Sequence, residues 1–171
     1  AQDIASKIPD VSLRLSVGGT IEGFDAIEGL IEQQPLNPVG PRIEGADMLY
    51  SSGTTGRPKG VKVPLPGTPL GETDGVTALI GGLFGASDKS QYLSPAPLYH
   101  AAPLRFCRAI HKIGGTVVVM PRFSPEDMLG CIEEYKISMI QVVPTMFVRL
   151  LKLEQSVRDQ ADVSSLETVV H

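Results

Sequence analysis

The sequence predicts an α/β fold in which a mainly parallel sheet is flanked by helices, and three observations carry that expectation. From Gln91 onward, apolar runs of strand length alternate with longer segments of helical periodicity, as in a sheet built from strand–helix–strand units. Thr116–Met120 is a β-branched run of the kind found in central strands. The intervening helices carry start and stop signals. Gly114-Gly115 supplies a left-handed cap, and Ser124-Pro125-Glu126-Asp127 supplies an N-cap, a first-turn proline and acidic first-turn residues.

Taken in order, Val11–Val17 alternates apolar and polar residues and reads as a half-buried strand ended by Gly18-Gly19. Phe24, Ile27, Leu30 and Ile31 recur at helical spacing, with Glu22, Glu28 and Glu32 mostly opposite, so Glu22–Gln33 reads as a surface helix. Gln34–Arg42 is a Pro-rich connector. Ala46–Ser52 reads as a strand, Gly53–Pro58 as a loop and Lys59–Val63 as a second short strand. Pro64, Pro66, Gly67 and Pro69 impose another loop. Thr73–Phe84 is a buried helix weakened by its glycines. Gln91–Ser94 follows as a strand and Ala101–Ile113 as a helix. The helix opened by Ser124 presents Met128, Leu129, Ile132 and Tyr135 on one side. Ser138–Val143 is a buried strand, Thr145–Leu153 a helix and Leu166–Val170 a last strand.

Composition narrows the function. The 171 residues carry a net charge of −4, which gives no global field suited to nucleic acid or anionic lipid. A hydrophobic content of 42% at 20% charged residues describes a chain able to bury a core. Gly at 18 and Pro at 14 exceed average usage of about 7% and 5%, so many turns and at least one functional loop are expected. No apolar stretch approaches the roughly 20 residues that span a bilayer, and no secretory leader pattern opens the chain. Cys107 and Cys131 read as free thiols in a reducing cytosol, and a cytoplasmic location is the expectation.

The chemistry concentrates in Tyr50-Ser51-Ser52-Gly53-Thr54-Thr55-Gly56-Arg57-Pro58-Lys59-Gly60. Four of these residues carry short hydroxyl side chains, three are glycine, and a lysine comes near the end. Glycine lets successive N–H groups turn toward a common centre, hydroxyls add short-range donors, and lysine adds a mobile positive charge. Such a surface suits a polyphosphate. A Walker loop would place Gly before the lysine and Ser or Thr after it, then open a helix. Here Pro58 and Gly60 stand in those places and the exit is extended, so a different phosphate loop joins two strands.

Tyr50–Gly60 resembles the phosphate-loop signature of the adenylate-forming, AMP-binding superfamily, an aromatic followed by T-S-G-T-T-G-x-P-K-G, with Ser51 in place of the usual Thr. Tyr92–Ala101, through Pro97-Leu98-Tyr99-His100, resembles the second signature of the acyl-CoA synthetase branch, and Val142–Met146 is similar to the segment lining the acyl pocket. Leu65–Thr73 departs from the family pattern. The resemblance implies activation of a hydrophobic carboxylic acid with Mg2+-bound ATP to acyl-AMP, then thioester formation with coenzyme A. It implies that Ser51, Ser52, Gly53, Thr54, Thr55 and Gly56 donate to the β- and γ-phosphates and that Lys59 supplies the charge. It also implies a place for His100 beside the acyl carboxylate and α-phosphate, and for Tyr99 and Thr145 in the substrate pocket. For Tyr99, packing explains the residue equally well. Thr145 would also make a good helix N-cap after Pro144, and Arg57 is expected to face solvent. No protein-held metal site is expected.

The resemblance further implies a partial adenylation domain: residues 1–45 as lead-in strand, helix and linker, 46–64 as the phosphate-loop hairpin, and 65–171 as the alternating segment. There is no Y-G-x-T-E segment, hinge or terminal catalytic lysine. The expectation is therefore an internal fragment without the small C-terminal domain, inactive alone and able to self-associate through faces exposed by truncation. An aryl-acid or carrier-loading adenylation enzyme, or a binding module retaining the loop without turnover, are the alternatives.

Overall fold

A computed structural model describes residues 2–37, 40–51 and 56–171, so Ser52, Gly53, Thr54 and Thr55 of the candidate loop lie outside the described residues. The chain divides into two compact units, Ala1–Arg42 and Ile43–His171.

In the first unit, α1 (Gln2–Ala5) is followed by β1 (Leu15–Ser16), β2 (Asp25–Ala26) and α2 (Ile27–Glu32). β1 and β2 pair in parallel, Leu15 with Asp25 and Ser16 with Ala26. The alternating Val11–Val17 run therefore forms only a short strand, because its partner offers two residues. The helix expected from Glu22 starts at Ile27 instead. Gly23 sits at φ +81°, a left-handed conformation that a right-handed helix does not admit, and Ile21 and Phe24 bridge across that turn.

The second unit begins with a hairpin. β3 (Leu49–Ser51) and β4 (Lys59–Val61) are antiparallel, with Leu49 opposite Val61, Tyr50 opposite Gly60 and Ser51 opposite Lys59. Both strands are shorter than the sequence pattern, and neither has a buried residue. α3 (Gly75–Phe84) follows, its start fixed by Asp74, whose Oδ1 accepts from Thr77 N at 2.9 Å. Only Thr77 and Ile80 of α3 are buried, so it covers the core with one stripe and is not buried all round.

β5 (Gln91–Ser94), α4 (Ala101–Ile113), β6 (Thr116–Val119), α5 (Pro125–Glu134), β7 (Met139–Gln141), α6 (Pro144–Leu151), α7 (Gln155–Gln160) and β8 (Thr168–Val170) complete the chain. The sheet is parallel in the order β6-β5-β7-β8. Local signals held: Gly114 caps α4 at φ +97°, and Ser124 Oγ accepts from Asp127 N at 3.2 Å. The position of Thr116–Met120 did not. It is an edge strand, half-exposed, and β5 and β7 are central. β-branched residues favour a pleated surface without specifying which strand of the sheet they form. Tyr135 caps the end of α5 and is 46% exposed, outside the apolar side assigned to it. α7 has no buried residue and so had no apolar stripe to reveal it.

Period-two alternation divides the core between the two faces of the sheet. Tyr92 and Met139 pack with Ile80, Phe106, Ala109 and Ile110 of α3 and α4. Leu93, Ile140 and Val142 pack with Met128, Ile132 and Met146 of α5 and α6. The chain leaves β5 toward β6, then returns past β5 to β7. Crossovers of one hand running in opposite directions land on opposite faces, as α4 and α5 do here.

Candidate functional site

That reversal defines a topological switch point at the carboxyl ends of the neighbouring strands β5 and β7. In open α/β sheets it leaves a crevice where ligands bind, because the connections diverge to opposite faces. Two sequence-derived candidate groups stand beside it. After β5, Ser94, Pro95 and Ala96 are buried, and the chain then emerges through exposed Pro97, Leu98, Tyr99 and His100. His100 N donates to Pro97 O at 3.1 Å, closing a turn, and His100 O accepts from Leu104 N at 3.2 Å. His100 is thus the N-cap residue of α4 by backbone, but its ring makes no capping bond. Tyr99 is 79% exposed and its ring lies 4.5 Å from that of His100, so core packing does not account for it.

After β7, Val143 is the N-cap of α6, and Pro144 and Thr145 occupy its first turn. Thr145 is therefore not the cap that Pro144 suggested: proline takes the first helical position, which puts the cap on Val143, two residues before Thr145. Thr145 is exposed at the same end of the sheet. Beneath this edge, Ser94 and Gln141, the last residues of the adjacent strands β5 and β7, are buried. Burial pushes the Cys107 and Cys131 thiols up, which leaves both poorly nucleophilic.

The phosphate-loop candidate is the connection between β3 and β4. Ser51 and Lys59 face each other as the last paired residues, both exposed, and Arg57 is exposed as expected. Gly56 takes φ +80°, which glycine adopts freely. Gly60 has its own reason: a Cβ there would come within 3.2 Å of Tyr50 Cε1, so the glycine makes room for the ring. Among the described residues no hydrogen bond or ion pair joins Lys59 to His100, and no cluster of three or more His, Cys, Asp or Glu could hold a metal.

Sequence reasoning missed an ionic network between the root of this hairpin and α4. Arg105 reaches Asp47 Oδ2 through Nη2 at 3.0 Å and Nε at 3.1 Å. Arg108 lies 3.7 Å from Asp47 Oδ1 and 3.3 Å from Asp74 Oδ2. Lys112 Nζ meets Glu44 Oε1 at 2.7 Å, Asp74 Oδ2 at 3.1 Å and the carbonyl of Glu72 at 2.8 Å. Glu44, 7% exposed, also accepts from Gly71 N at 3.1 Å. Lys112 and the Gly71 N–H hold the Glu44 carboxyl below its ordinary range, and Glu44 in turn holds Lys112 above its own. For Asp74, burial pushes upward, but Thr77 N–H, Lys112 and Arg108 outweigh it and bring the group to about 2. The visible signal was the stripe of Arg105, Arg108 and Lys112 at helical spacing. Its partners lie 34 to 68 positions away in sequence.

The chain belongs to the AMP-binding enzyme family, which matches residues 12–171. Among curated proteins it is 30% identical over 155 residues to 4-coumarate–CoA ligase-like 8 of Arabidopsis thaliana, covering 86% of this chain and 27% of that protein. It is 36% identical over 111 residues to 2-succinylbenzoate–CoA ligase of Bacillus pumilus, covering 64% of this chain and 22% of that protein. Among solved structures, O-succinylbenzoate coenzyme A synthetase of Bacillus subtilis, in complex with ATP and magnesium ion, superposes with a TM-score of 0.65 at 23% identity. The match covers 90% of this chain and 34% of that one, and supports the fold. The chain thus spans less than a third of the length of these curated relatives.

Proposed function

We propose that this chain contributes the phosphate loop and part of the acid site of an AMP-forming acyl-CoA ligase. In the first step a carboxylate oxygen of the acid bonds to the α-phosphorus of ATP while the bond to pyrophosphate breaks. In the second, the coenzyme A thiol loses its proton, its sulfur bonds to the acyl carbon and AMP leaves. The barrier in the first step is charge. An anion must approach a polyanion, so positioning and electrostatic stabilisation are the protein's main task.

Ser51, Ser52, Gly53, Thr54, Thr55 and Gly56 donate to the β- and γ-phosphates in this reading, and Lys59 neutralises them. Mg2+ arrives on the ATP phosphates in this reading. His100 holds the acyl carboxylate or α-phosphate, and Tyr99 and Thr145 line the pocket. The observation that carries the proposal is the hairpin register, which sets Lys59 opposite Ser51 at the two ends of a glycine- and hydroxyl-rich connection. The exposed His100 at the switch point, whose ring makes no capping bond, supports the acid site. The acid itself is hydrophobic. An aryl acid is favoured as a second reading by the names of 4-coumarate- and 2-succinylbenzoate-directed relatives.

Calorimetry with the purified chain tests the loop. Lys59→Ala should weaken Mg-ATP by about tenfold and leave AMP binding unchanged, since AMP lacks the β- and γ-phosphates. Equal weakening of both ligands, or no measurable binding of Mg-ATP by the parent chain, contradicts the proposal.

A further inference from the structure

The hairpin that carries the loop has no core of its own. None of Leu49–Ser51 or Lys59–Val61 is buried, and an isolated two-stranded ribbon is marginal in water. Something outside the hairpin must fix it. Its root is tied down at both ends. On the entry side, Ile43 bridges to Pro69 and Glu44 N donates to Thr68 O at 2.8 Å, joining the segment before β3 to the loop after β4. Gly45, Ala46 and Asp47 then lead to Met48 and the hairpin, and Asp47 has its side chain only 17% exposed and both carboxylate oxygens turned to arginines of α4. Arg105 brings Nε and Nη2 to the same oxygen, a directional contact in which a planar guanidinium fixes orientation as well as charge. The same helix starts just after His100, its N-cap residue. α4 is therefore a rigid rod with the candidate acid-site histidine at its start and the hairpin's anchor farther along one face.

We propose that Asp47, held by Arg105 and Arg108, is a positioning residue that fixes the phosphate-loop hairpin on α4 and so sets where the loop stands relative to His100. The proposal rests on the reading of the loop given above. Catalysis of attack on ATP demands this kind of registration, because a displacement of about 1 Å far from the reacting atoms can cost about a hundredfold in rate. Asp47 itself touches no ligand in this scheme.

Amide hydrogen exchange and Mg-ATP affinity of the full chain test it together, in Asp47→Ala and in Asp47→Glu. Asp47→Ala should accelerate exchange at residues 48–51 and 59–63 by about fivefold, the scale of a partly exposed ion pair, and weaken Mg-ATP in parallel. Exchange in Gln91–Ser94 should not change. Asp47→Glu, which keeps the charge, should restore both to near the parent values. Lys136→Ala, which breaks only the surface pair with Asp162, should alter neither. Unchanged hairpin exchange, acceleration that spreads into Gln91–Ser94, faster exchange with unaltered Mg-ATP affinity, or failure of Asp47→Glu to restore each overturns the positioning role. A separate failure is recognisable: Mg-ATP affinity indifferent to Lys59→Ala overturns the loop reading, while the exchange data still decide whether Asp47 holds the hairpin.

Discussion

Gly56 stands at φ +80°, and among the described residues nothing lies within 4 Å of where a Cβ would sit, so the described obstacle to substitution is the backbone. A β-branched side chain is a genuine outlier in that region, whereas Asn visits it with little penalty. Gly56→Val should therefore weaken Mg-ATP binding by at least about tenfold, and Gly56→Asn should stay close to the parent in the same titration. Identical behaviour of the two variants would show that left-handed backbone is not what the loop needs. Asp74 makes a second residue-scale prediction. Its folded value of about 2 lies below its ordinary 3.8, so it contributes stability above pH 4 that is lost as the pH falls toward 2. Lys112 and Arg108 face it, and its other oxygen caps α3. Asp74→Asn keeps a capping oxygen and removes the charge. Denaturation across pH 2 to 4 should show a shallower loss of stability in that variant than in the parent; equal slopes would remove Asp74 from the acid response.

Among the elements, the central strands β5 and β7 each contribute side chains to both faces of the sheet. Leu93 is fully buried on the α5–α6 side, and Leu93→Ala should lower stability by about 2–5 kcal/mol in thermal or urea unfolding. Val119 on the edge strand is 45% exposed, and Val119→Ala should cost about 0.5 kcal/mol or less. Similar losses at the two positions would contradict the strand order. Elements with a local signature were legible from sequence: the Gly114 cap, the Ser124 cap, the strand–helix alternation and the run that becomes β6. Elements decided by distant partners were not. β1 was limited by the length of β2, and the helix before Gln33 was cut short by the conformation of Gly23. Of the candidate site, the residue types at the strand ends were readable because proline, glycine and hydroxyl side chains have fixed local uses. The displacement of the α6 cap from Thr145 to Val143, the bare ring of His100 and the Asp47–Arg105 contact depend on three-dimensional neighbours that no local pattern encodes.

The matched part of the chain spans 27% of 4-coumarate–CoA ligase-like 8 and 22% of 2-succinylbenzoate–CoA ligase, and the sequence carries no Y-G-x-T-E segment. Binding and turnover should therefore separate in this chain. It should bind Mg-ATP yet give no ATP–pyrophosphate exchange above background with a range of hydrophobic acids, and sustained exchange would refute that. Met48, Tyr50, Val61, Val63, Leu65 and Leu70 are all exposed in the second unit, a concentration of apolar surface that favours association. Sedimentation should show a mass rising with concentration, and a strictly monomeric species would count against it. The central claim is that the turn between β3 and β4 cradles the phosphates of ATP. Backbone amide resonances followed through a Mg-ATP titration address it most directly. Saturable shifts centred on residues 51–60, with a midpoint moved to about tenfold higher Mg-ATP by Lys59→Ala, are the result the account predicts, and shifts absent from that segment would contradict it.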